Sequence, residues 1–288
     1  MSQSGPFGGG GPLEDLLRNL ARLLTSQGSV NWEIARQLAQ WTASEGEAEA
    51  NPDPLARVRL EELLRVADLH VTEATGLATS ATGGLLKARA VTRSEWALLT
   101  LDAWRPLLER LAESLGSAPD RETPEDVAGD PMAKLLGNLP QALAPLLFGM
   151  QGGSMVGHLG SRAMGQYDLP VPRPASDELL FVPSTIDGFG VDWSLPPDDV
   201  RLWVCLHEVT THAVLSRPHV KARLEELMLA YAGSFQPDAG ALEARLGSFD
   251  PTNIAALQET FSNPETLLGE LETPRQRELM VPLQALLS

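Results

Sequence analysis

The residues best able to do chemistry sit in one run, "LHEVTTHAVL", from Leu206 to Leu215. Two imidazoles four residues apart on a helix lie roughly 40° from each other, so both can reach one metal ion. A glutamate beside the first can then take a proton from metal-bound water, which is the logic of the H-E-x-x-H motif. His207 and Glu208 supply the first half of that pattern. The residue four beyond His207 is Thr211, whose neutral hydroxyl is a poor zinc ligand. His212 comes one position late, roughly 140° around a regular helix. His207 and His212 therefore share an ion only where a π-bulge re-aims them.

A second stripe carries Cys205, Glu208 and His212 at spacings of three and four. Cys205 and His212 are separated by about 10 Å along the axis, too far to meet on one zinc. This stripe reads as a surface Glu208–His212 contact, with Cys205 packed as a small hydrophobe. His219 follows Pro218 and offers one more nitrogen; His158 reads as a packed or surface side chain, and His70 as a structural one within its own helix. The apolar content of Val200, Trp203, Val204, Val214 and Leu215 predicts that the helix carrying these groups is central and buried.

Several elements must position that helix. Pro196 and Pro197 suit its first turn, Asp198 and Asp199 complement its dipole, and Pro218 marks its end. Before it, "ELLFVPSTIDGF" (Glu178 to Phe189) predicts a strand, the only convincing one. Helices are predicted over Leu13–Leu24 on a leucine face, after an Asn31 cap with Trp32, Ala35, Leu38 and Ala39 facing inward, and from about Leu55 to Thr75. "TRSE" (Thr92 to Glu95) is a capping box that opens a helix bearing Trp96, Leu99 and Trp104. Gly153, Gly157 and Gly160 recur at helical spacing and would let another helix approach closely. Thr273 and Pro274 open the last helix.

The expected class is mainly α with a small β element. Residues 1–12 are a Gly-, Ser- and Pro-rich lead read as disordered. Residues 13–288 form one helical domain, divisible into halves at 13–118 and 131–288, with the polar connection "GSAPDRETPEDVAGDP" between them. A formal charge of −16 spread along 288 residues argues against nucleic acid or an anionic membrane as partner. One cysteine excludes an internal disulfide, and neither a signal sequence nor an apolar span is present, so a cytoplasmic protein is expected. No G-x-G-x-x-G follows a strand, which leaves flavin and nicotinamide without a binding signature.

Beyond the motif, "SVNWEIARQLA", "RVADLHVTEATGL", "TRSEWALLTLDAWRPLLE", "GQYDLPVP", "LLFVPSTIDGF", "LPPDDVRLWVCLHEVT" and "LETPRQRELMVPLQALLS" resemble, in order, the actinobacterial zincin-like metallopeptidase type 2 family. Some members carry hydrolase or coenzyme F420 biosynthesis-associated labels. The resemblance implies a zincin-like fold whose metal-type helix packs beside a short sheet. It implies zinc as cofactor and a peptide or protein substrate. It places His207 on the first zinc ligand and Glu208 on the general base. Thr211 falls on the second ligand, while His212 matches the last His of relatives reading H-E-V-x-H-H, so the ligand is replaced rather than shifted. The resemblance also implies a Glu-Gly segment after "LQALLS" that supplies an acidic ligand, whereas this sequence ends at Ser288. The expectation is a metallopeptidase homologue with weakened or lost catalysis; the alternative is an inactive pseudoenzyme serving as a binding or regulatory scaffold.

Overall fold

A computed structural model describes residues 28–116, 131–234 and 274–287. The predicted helix at Leu13–Leu24, the lead before it and the connection at 117–130 lie outside the described residues.

Helix α1 (Trp32–Ala43) begins where Asn31 Oδ1 accepts the Ile34 amide at 3.2 Å, as its sequence predicts. Its buried stripe is three alanines, Ala35, Ala39 and Ala43. Helix α2 (Pro54–Thr75) is capped by Asp53 and stops at Gly76, whose φ of 67° is left-handed backbone that glycine adopts freely. Strand β1 (Lys87–Ala90) leads into α3 (Arg93–Gly116), and α4 (Pro131–Gly160) follows. Then come β2 (Glu178–Phe181), α5 (Pro183–Asp192), α6 (Pro197–Leu215), α7 (Pro218–Gly233) and α8 (Pro274–Leu287).

The alanine stripe of α1 meets the glycine stripe of α4. A Cβ added at Gly153 would lie 2.3 Å from the Ala35 carbonyl oxygen, and one at Gly157 would lie 2.6 Å from Thr42 Cβ. The close approach expected of these glycines is therefore real, and α1 is the helix that approaches.

Three sequence expectations change. The strand predicted over Glu178–Phe189 ends at Phe181, because Pro183 occupies a first helical turn and α5 takes over. A second strand, β1, pairs parallel with β2 in the register Lys87↔Glu178 through Ala90↔Phe181. "KARA" has little strand propensity of its own, so the pairing makes this strand rather than the reverse. At the "TRSE" box, Thr92 Oγ1 accepts the Glu95 amide at 3.1 Å, but the Glu95 carboxylate goes to Arg89 at 2.7 Å. Half of the box forms.

Two apolar cores result. One gathers α2, α5, α6 and α7 with Leu179 and Phe181 of β2; the other gathers α1, α3 and α4 with Leu180 and Val182. Alternate residues of one strand thus face opposite cores, the period of two in a β-strand used as a shared wall. Each core draws residues from both sides of 117–130. No described helix is long and apolar enough to cross a membrane.

Candidate functional site

Helix α6 has no side-chain N-cap; Pro197 sits in its first turn with Asp198 and Asp199. Arg59 of α2 grips Asp198 at 2.6 and 3.1 Å and so ties the start of α6 to α2. Val204, Cys205, Glu208, Val209, His212 and Ala213 form the buried stripe. Trp203 (59% exposed) and Val214 (39% exposed) lie outside it. The expectation that all five apolar markers are buried is thus corrected: α6 is buried along one side only.

The motif residues divide between the two sides. His207 is exposed, its ring stacked on Trp203 one turn earlier with centroids 5.8 Å apart and planes at 16°. Thr211 is half-buried. Glu208 is wholly buried at 0% exposure, and His212 is nearly so at 2%. The expected surface contact between Glu208 and His212 is corrected too: a third residue links them in the interior. Cys205 is packed as a small hydrophobe, and burial pushes its thiol up to about 12. His70, read as structural, stands exposed on α2, and His158 and His219 are exposed as well.

The linking residue is Tyr167. Its amide donates to both Glu208 oxygens, at 2.9 and 3.2 Å, and its hydroxyl meets His212 Nδ1 at 2.9 Å. The Gln166 amide lies close enough to favour the Glu208 anion as well. Gly165 lies directly on the carboxyl group: a Cβ there would fall 2.4 Å from Glu208 Cδ, so any larger residue must displace the carboxyl group or the segment. The Gly165 carbonyl accepts from Trp96 Nε1 at 2.7 Å, and Gly165 bridges to Phe181 in antiparallel register. Arg173, also buried, donates to the Gln166 carbonyl at 3.2 Å and to Thr100 at 3.0 Å.

Electrostatics follow from this burial. Desolvation, then the charge of Asp168, raises the Glu208 pKa well above the usual carboxylate range, against the two amides and the field of Arg173. Desolvation lowers Arg173 to about 10 and lifts Tyr167 to about 12. It also lowers His212, favouring the neutral imidazole. Asp168 accepts the Met164 and Gly165 amides at 2.5 and 3.2 Å, which pinches the segment into a turn.

The arrangement does not suit a zinc centre. A catalytic zinc site needs three protein ligands and an open position for water. His207 faces solvent, its i+4 neighbour is a hydroxyl, and Glu208 and His212 are turned inward onto Tyr167. Among the described residues no group of three His, Cys, Asp or Glu side chains is placed to hold an ion. A cleft of about 1080 Å³ is lined by Arg93, Arg162, Met164 and Asp187 among others, and by none of the four motif residues.

Sequence reasoning missed Tyr167, Gln166, Gly165 and Arg173. All lie in "GQYDLPVPR", which has no helical or strand period. Its one signal was membership of a stretch that carries the family resemblance.

The profile of the zincin-like metallopeptidase family matches residues 30–288. No curated protein matches. Among solved structures, the chain is similar to a "putative hydrolase with a novel fold" from Chloroflexus aurantiacus, at 17% identity and a TM-score of 0.45, over 89% of this chain and 79% of that one.

Proposed function

The chain belongs to the zincin-like metallopeptidase family, and we propose that it keeps the scaffold of that family as a peptide- or protein-binding module while catalysis is weakened or lost. The observation that carries this reading is the state of Glu208. A general base must reach water or substrate, directly or through one water. Glu208 is 0% exposed and its oxygens already accept the Tyr167 amide. Thr211, at the second ligand position, points the same way, since a neutral hydroxyl replaces an imidazole.

The test supplies zinc to the purified chain, counts bound metal by mass spectrometry and follows cleavage of a mixture of quenched fluorescent peptides. Wild type should show no cleavage above that of His207→Ala. Thr211→His restores two imidazoles at the i, i+4 spacing, so bound zinc should rise at least tenfold while cleavage stays at background, because Glu208 remains sealed. Stoichiometric zinc in wild type, with cleavage that His207→Ala abolishes, would overturn the reading.

A further inference from the structure

We propose that the segment Met164–Asp168 is a self-ligand, a strap that fills in cis a site for peptide backbone formed by the outer edge of β2, Glu208 and His212. This deepens the reading of the H-E helix given above and rests on it.

The first support is the pairing. One edge of β2 is taken by β1; on the other, Gly165 bridges Phe181 in antiparallel register and the Val182 amide donates to the Met164 carbonyl at 2.9 Å. An extended peptide added to an exposed sheet edge makes this kind of main-chain contact. The second is what the strap brings to α6. It reaches Glu208 through a main-chain amide, a group that any peptide carries, and it reaches His212 through one side chain. The glycine at the point of closest contact presents bare backbone to the carboxylate. The third is the location of the strap. It lies in the long connection between Gly160 and Glu178, which contains neither helix nor strand. Connections of that length inside a compact domain are commonly functional.

A strap of this kind has two consequences. Glu208 and the free edge of β2 become available together, since the same segment covers both. Occupancy of the site by any other peptide also competes with the strap at an effective concentration set by a short tether, in the millimolar range.

Two variants of the full chain test the proposal. Gly165→Ala drives a Cβ into the Glu208 carboxyl group and should lift the strap, while Tyr167→Phe removes only the hydroxyl that meets His212. Hydrogen–deuterium exchange is read at the strap amides and in α1, and fluorescence anisotropy follows a labelled synthetic peptide of residues 162–170. The expected result is at least tenfold faster exchange at Gly165–Tyr167 in both variants with α1 protection retained. Gly165→Ala should also bind the peptide at least tenfold more tightly than wild type does. Loss of protection in α1 together with the strap, in the milder Tyr167→Phe as well, would make the strap an inseparable part of the core and overturn the proposal. So would a strap that lifts without the peptide binding. A cleavage assay on the same variants separates the two readings. Peptide bound and left intact supports both; peptide bound and cut keeps the strap but overturns the loss of catalysis.

Discussion

Glu208 poses a charge problem that its neighbours solve only in part. The amides of Tyr167 and Gln166 and the field of Arg173 favour the anion, yet desolvation and the nearby Asp168 outweigh them and raise its pKa. A carboxyl whose folded pKa lies above its unfolded value contributes most to stability when protonated. That contribution is present at low pH and is lost as pH climbs from the unfolded pKa, about 4.3, through the raised folded value. Glu208→Gln keeps the shape and removes the charge, so urea denaturation should show stability falling less than in wild type as pH rises above about 4.3. Glu208→Ala leaves the Tyr167 amide without its buried acceptor and should cost about 1–3 kcal/mol at neutral pH. An equal slope with pH in Glu208→Gln and wild type would show that the carboxyl titrates normally. At this scale the sequence was legible in half. It marked His207, Glu208 and Thr211 by spacing, but which of them faces water depends on Tyr167, 41 positions away, and no spacing rule reaches that far.

Elements were more legible where a local rule governs them. Asn31 caps α1, Pro197 opens α6, and the glycines of α4 seat another helix, because each depends on residues within a turn or two. β1 was missed because a four-residue strand of Lys, Ala and Arg exists only through its partner, and a tertiary pairing leaves no local trace. The α1–α4 contact offers a clean test of the glycine reading. Gly153→Ala would place a Cβ 2.3 Å from the Ala35 carbonyl oxygen, so the helices must separate; the expected cost is about 1–3 kcal/mol. Gly152 is its neighbour on α4 and has nothing within 4 Å of the same added atom. Gly152→Ala should therefore stabilise by up to about 1 kcal/mol through helix propensity alone. Chemical denaturation of the pair checks both, and equal effects at the two positions would mean that α1 does not pack where it is placed.

The molecule as a whole is held together by β2. A two-stranded sheet has marginal stability by itself, so its four residues and Val182 must be stabilised by what lies on each face. Leu179 and Phe181 are buried in the core around α6, and Leu180 and Val182 in the core around α1 and α3. Met228 of α7 packs against both cores, and Trp96 reaches from the second core to the strap that covers Glu208 in the first. The division at 117–130 read from composition marks a polar connection in the sequence, and both cores recruit residues across it. If β2 is a shared wall, damage on either face must weaken both sides. Leu179→Ala and Leu180→Ala should each cost about 2–5 kcal/mol and leave a single unfolding transition. Amides of α1, in one core, and of α2, in the other, should then lose hydrogen-exchange protection by equal amounts in each variant. Two transitions, or loss confined to α2 in Leu179→Ala and to α1 in Leu180→Ala, would show two independently folding units that merely touch at the strand.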